Sequence, residues 1–119
     1  MGFIFIKMQI ANPEKPNKWI EIEGLIDTGA IYSVIPEKIL NELEIKPIGV
    51  KEFTLANGEK ITRRYGNALF KYEDKVVATP VIFGEEGDYT LIGTLTLEAL
   101  GYVIDPFKRE LRPMKMLLV

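Results

Sequence analysis

The sequence predicts a mainly β domain, and three observations carry that prediction. Apolar residues recur with a period of two, the recurring stretches are short, and turn signals separate them. Such a pattern fits an all-β barrel or sandwich. The chain has 119 residues, enough for a single domain over 1–119. With 47% apolar and 27% charged residues it has the material for a core.

Ile4, Ile6, Met8 and Ile10 alternate with Phe5, Lys7 and Gln9, which predicts a first strand with one wholly apolar face. Residues 12–17, Asn-Pro-Glu-Lys-Pro-Asn, predict a turn-rich connection. A second strand is expected over residues 19–26, with Ile20, Ile22 and Ile26 inward and Glu21 and Glu23 outward. Further strands are expected over 50–56, 68–72, 76–83 and 89–92. Two stretches break the rhythm. In residues 36–43, Pro36 suits a first helical turn and Ile39, Leu40 and Leu43 share a side. Residues 94–100 predict a second short helix, with Leu95 and Leu100 toward the core and Gly101 as its stop. Each helix follows an apolar strand and a glycine-containing turn, a faint sign of a duplicated half-domain.

Composition excludes several chemistries. Fifteen Lys and Arg stand against 17 Asp and Glu, a net charge of -2, without the basic excess of a nucleic-acid binder. There is no cysteine and no histidine, hence no disulfide framework, thiol nucleophile, zinc–thiolate site or histidine-based triad. Catalysis would rest on carboxylates, lysine, tyrosine or a bound group, and no metal or cofactor is expected. No run approaches the roughly 20 apolar residues of a spanning helix, so no membrane partner is expected. The opening Phe3-Ile4-Phe5-Ile6 is too short for a signal segment, which leaves a soluble cytoplasmic protein as the expectation.

The informative segment is Leu25-Ile26-Asp27-Thr28-Gly29-Ala30-Ile31-Tyr32-Ser33-Val34-Ile35-Pro36. Asp27 stands between two apolar runs, where a bare carboxylate is expensive. Gly29 permits a tight turn or close approach. Read alone, Asp27-Thr28-Gly29 fits an ordinary turn as well as a reactive site. The other aspartates have plainer readings: Asp74 in a hairpin turn, Asp88 in the solvated loop Glu85-Glu86-Gly87-Asp88, and Asp105 before Pro106. Leu55-Ala56-Asn57-Gly58-Glu59 carries the Asn-Gly hairpin signal. The following Glu59-Lys60-Ile61-Thr62-Arg63-Arg64 is polar on both faces, so this arm is expected to project into solvent. Trp19 reads as core or interface, Tyr32, Tyr65 and Tyr72 as ordinary aromatics, and Lys108, Arg109, Arg112 and Lys115 as a solvated basic tail.

Over residues 19–105 the sequence resembles the retropepsin-like aspartic peptidases, a family that includes the retroviral proteases. Leu25-Ile26-Asp27-Thr28-Gly29-Ala30 with Val34-Ile35 resembles their active-site loop. Leu91-Ile92-Gly93, opening residues 94–100, resembles their second apolar-apolar-glycine element, and Gly93 lies 66 positions after Asp27. The resemblance implies a closed acid-protease barrel with two short helices, one lobe per chain. It implies an aspartic endopeptidase acting on peptide or unfolded protein as a homodimer, each copy supplying one Asp27. Two carboxyls so close cannot both ionise; the ionised one takes a proton from water and the protonated one polarises the scissile carbonyl. Thr28, Gly29 and Ala30 then support the loop, with Thr28 bonding across to its mate. Ile31, Ile92, Gly93 and the flap residues Ala56, Asn57 and Gly58 border the substrate. A silent peptide-binding or dimerisation module of the same fold is the alternative. Where retroviral members pair an acidic residue with an arginine, this chain has Ile31 and Thr94, so a different dimer contact is expected. The apolar residues 114–119, with the first strand, are expected to build it.

Overall fold

The computed structural model describes residues 3–118. β1 (Phe5–Asn12) and β2 (Lys15–Ile26) form the first hairpin, with Phe5 opposite Leu25 and Ile10 opposite Ile20. Their alternation comes out as expected: Ile6, Met8, Ile10, Ile22 and Ile26 are buried. The turn between them is tighter than the sequence suggested. Pro16 and Asn17 belong to β2, where only β1 lies alongside, so a strand residue without an N–H is tolerated at this edge. Asn12 makes the tight turn possible: its Oδ1 accepts the Glu14 N–H at 2.8 Å, and its Nδ2 donates to the Leu43 and Glu44 carbonyls.

β3 (Ser33–Pro36) leads into α1 (Glu37–Glu42), whose Leu40 is fully buried, with Leu43 just beyond it also inside. β4 (Gly49–Thr54) and β5 (Lys60–Tyr72) make the second hairpin, and β6 (Lys75–Gly84) folds back on β5. Strand β5 starts eight residues before the expected 68, because its first half pairs only with β4 in the projecting arm. β7 is only Leu91–Ile92, and α2 (Thr94–Leu100) follows it. Here one expectation fails. Leu95 is exposed, whereas Thr96, Leu97 and Leu100 are buried, since a seven-residue helix is too short for apolar period alone to fix its inward face. Gly101 ends α2 in the left-handed region at φ 88, as expected.

Sheet order is β1-β2-β7-β3-β6-β5-β4, with a further antiparallel pairing of Gln9–Ala11 in β1 against Leu69–Lys71 in β5. The pairings therefore run in a ring from β1 back to β1, and β4 stands outside it. Two links of the ring are parallel: β2 with β7, and β3 with β6. Ile10, Ile35, Leu40, Phe70, Val81, Phe83 and Ile92 at the centre of the core have no solvent exposure. The tail folds into a separate hairpin, β8 (Tyr102–Asp105) with β9 (Glu110–Pro113), whose turn is pinned by Asp105 accepting the Phe107 and Lys108 N–H groups. Beyond it Met116, Leu117 and Leu118 are exposed, and Val119 lies outside the described residues. Among the described residues no helix is long and apolar enough to cross a membrane.

One polar cluster interrupts the core. The Ser33 and Thr96 hydroxyls lie 2.6 Å apart, Thr79 approaches Thr96 at 3.3 Å, and Ser33 Oγ accepts the Gly93 N–H at 3.0 Å. Ser33 and Thr96 are fully buried, so each hydroxyl depends on these partners. Thr96→Val keeps the shape, takes from Thr79 its hydroxyl partner and leaves Ser33 with only the Gly93 N–H. It is expected to cost about 1–3 kcal/mol, read as a lower urea midpoint at unchanged slope and fixed protein concentration.

Candidate active site

Asp27 is the first residue past β2, where the parallel β2–β7 ladder ends. Its N–H donates to the Ile92 carbonyl at 3.2 Å. The chain then turns back on itself: the Ala30 N–H donates to the Asp27 carbonyl at 3.1 Å, and Asp27 Oδ1 accepts the Gly29 N–H at 2.9 Å. An aspartate bonding its own backbone two residues on is a standard way to fix such a turn. The loop leaves Asp27 half-buried and Thr28 and Gly29 exposed. The sequence suggested a buried carboxylate; in the single chain it stands at the mouth of a cleft instead.

The second element braces the loop from behind. The Thr94 N–H donates to the Ala30 carbonyl at 2.9 Å and the Leu95 N–H to the Ile31 carbonyl at 3.0 Å. These are orphan N–H groups at the start of α2, used here to hold the loop. Gly93 packs so closely that a β-carbon would lie 2.5 Å from the Ile31 carbonyl oxygen and 2.6 Å from the Tyr32 carbonyl carbon. Only glycine fits.

A cleft of about 760 Å³ opens beside Asp27. Of the residues singled out from sequence, Asp27, Gly29, Ala30, Ile31 and Ala56 line it. Thr28, Asn57, Gly58, Ile92 and Gly93 do not. Ile92 is fully buried and, with Gly93, supports the loop from within; Thr28 is exposed on the loop itself. Asn57 and Gly58 form the exposed hairpin tip, closed by the Leu55 N–H on the Glu59 carbonyl at 2.7 Å, with Gly58 at φ 85. The tip projects as expected, but Ile61, Arg63 and Arg64 lower in the arm are partly buried rather than solvated.

Sequence reasoning missed much of the wall: Tyr32, Val34, Phe53, Ile61, Ile82, Tyr89 and Leu91 all face the cleft. Tyr32 is not an ordinary loop aromatic. It meets Phe53 edge-on at 6.5 Å between ring centres and lies 5.3 Å from Lys51 Nζ, so it joins the Asp27 loop to β4. Asp88 is corrected more sharply. It lines the cleft and is gripped by Arg63, Nε to Oδ2 at 2.7 Å and Nη2 to Oδ1 at 3.0 Å. Asp88 Oδ2 also accepts the Glu85 N–H at 2.8 Å. The Arg63 guanidinium holds the Asp88 carboxyl below the usual aspartate range, with the Glu85 N–H aiding and partial burial opposing. Its stabilising effect is thus present above that range and lost as acid protonates Asp88. An Asp–Arg contact 25 residues apart leaves no local pattern, which is why the acidic loop read as merely solvated.

Among the described residues no cluster of three or more His, Cys, Asp or Glu side chains is placed to hold a metal ion. What the arrangement offers is one presented carboxylate, a rigid backing and an apolar channel under a projecting hairpin.

The model of a family described as Aspartyl protease matches residues 16–101, a span that contains the Asp27 loop, the hairpin and Gly93. Among solved structures the chain is similar to a retropepsin-like aspartic protease from Rickettsia conorii, at 19% sequence identity and a TM-score of 0.48, with 88% of this chain and 89% of that one covered. No curated protein matches it.

Proposed function

This chain belongs to the aspartyl protease family, and on that premise we propose that it is a homodimeric aspartic endopeptidase whose water is activated by two Asp27 carboxyls, one from each copy. The observation that carries the reading is the single presented carboxylate. Asp27 is held at the cleft by the turn and by the Ile92 carbonyl, while the other carboxylate that lines the cleft among the described residues, Asp88, is already bound bidentately by Arg63. An arginine-paired carboxylate stays ionised and is a poor sharer of a proton. The second carboxyl is therefore assigned to Asp27 of another copy across a two-fold axis.

In this arrangement one Asp27 is ionised and takes a proton from the attacking water. Its protonated mate donates to the scissile carbonyl, and the two exchange roles as the amine leaves. Exposed Thr28 and Gly29 are the loop atoms that meet the partner. The apolar walls, Ile31, Tyr32, Phe53, Ile82 and Leu91 among them, take the substrate's side chains in an extended peptide or unfolded segment. The hairpin tip at Ala56, Asn57 and Gly58 closes over the bound chain and excludes water. A cytoplasmic setting belongs to the same proposal.

The deciding experiment incubates the purified protein with a diverse peptide mixture between pH 3 and 8 and reads new termini by mass spectrometry. Cuts are expected that vanish in Asp27→Asn and fall more than proportionately on dilution below the dimer's dissociation constant. Peptide binding with no cuts at any pH would assign the chain to the silent module instead.

A further inference from the structure

The β4–β5 arm has few fixed points. β4 pairs with β5 alone, and residues 54–60 are exposed. Its pose relative to the rest of the chain is therefore set by the run of β5 into the β6 ladder and by side chains at the arm's base. Phe53 meets Tyr32, and Lys51 sits between Tyr32 and Tyr65, with Nζ 4.4 Å from the Tyr65 ring. Arg64 bonds Glu37 of α1 at 3.1 Å and lies 5.0 Å from the Phe83 ring.

Arg63 differs from these in where it reaches. Its bidentate grip on Asp88 ties the arm to the segment 85–91, which supplies Tyr89 and Leu91 to the cleft wall and runs on into Gly93 behind the Asp27 loop. The pair is shielded, with side chains 17% and 25% exposed. Arg63 Nη1 also donates to the Thr62 carbonyl and lies 3.7 Å from Glu85 Oε1, a longer second contact with the same segment, and Asp88 Oδ2 closes its own loop on the Glu85 N–H. A planar fork held this way fixes orientation as well as distance.

We propose that Arg63 and Asp88 are a positioning pair, setting the pose of the β4–β5 arm against the 85–91 segment and thereby the width of the substrate channel. This rests on the peptidase reading. Neither side chain touches the reacting atoms; both act through the walls they join. Opening the pair frees the arm to swing outward, and substrate then closes it at a cost in binding.

The test has two arms, one of which needs no activity. By amide hydrogen exchange, Arg63→Gln and Asp88→Asn are each expected to speed exchange over residues 53–61 about tenfold, while the β1–β2 amides stay unchanged. With a cleaved peptide, the loss is expected to fall on KM, about tenfold, rather than on kcat. Arg63→Lys keeps the charge without the fork and should fall between. The charge swap Arg63→Asp with Asp88→Arg should recover a large part of both readouts. Unchanged exchange in the arm, or an equal rise throughout the chain, would overturn the proposal, as would a fall in kcat with KM unmoved. If no peptide is cleaved at all, the peptidase reading fails, and the exchange arm still decides whether the pair positions the hairpin.

Discussion

A dimer assembled from one native copy and one Asp27→Asn copy is expected to lose nearly all hydrolysis, not half. Asparagine keeps the size and the turn-forming oxygen of Asp27 and removes only its ability to bear the charge and exchange the proton. If the two carboxyls share one proton, they titrate and act as a unit, and removing either disables both. General acid–base assistance of this kind is worth about 10²–10⁴ in rate, so kcat/KM for the mixed dimer should fall at least about a hundredfold. Differently tagged copies, co-expressed and purified through both tags, make the measurement direct. A mixed dimer with half the native rate would mean that each chain carries a complete site, and the shared dyad would be wrong. Asp88 would then have to be reconsidered despite its bonds to Arg63.

The parts of this molecule legible in its sequence are those governed by local pattern. Ile6, Met8 and Ile10 against Ile20 and Ile22 announce a hairpin because one face of each strand meets the core and the other meets water. Asp27-Thr28-Gly29 and Leu91-Ile92-Gly93 are legible as loop and second element only through their resemblance to a family; read alone, the first fits an ordinary turn as well. The illegible parts depend on partners distant in the chain. Ser33 and Thr96 are 63 positions apart and look like two ordinary polar residues until the fold puts their hydroxyls in contact. Arg63 and Asp88 read as solvated charge until the arm and the 85–91 segment share a cleft. Leu95 is more apolar than Thr96, yet Thr96 is inside, on the face it shares with buried Leu97 and Leu100, where its hydroxyl meets that of buried Ser33.

Among the described glycines, Gly93→Ala is expected to be the most damaging alanine substitution. The backbone angle is not the reason: Gly93 has φ -86 and ψ 170, open to any residue. Space is. An added β-carbon would stand 2.5 Å from the Ile31 carbonyl oxygen and 2.7 Å from that of Tyr32, both backbone atoms with no rotamer to yield. Relief requires β7 to retreat from the Asp27 loop. That retreat pulls on the Gly93 N–H bond to Ser33 Oγ, on the Thr94 and Leu95 N–H bonds to Ala30 and Ile31, and on the Asp27 N–H bond to Ile92. Overpacking with loss of buried hydrogen bonds should cost about 3 kcal/mol, and the displaced loop should abolish cleavage even in the folded fraction. Gly58→Ala is the matched control. Gly58 has φ +85 but nothing within 4 Å of an added β-carbon, so only backbone strain of about 1 kcal/mol opposes it. Urea unfolding of both variants at one protein concentration makes the comparison. Equal midpoints would show that the loop and its brace are not in the tight contact on which the presentation of Asp27 depends.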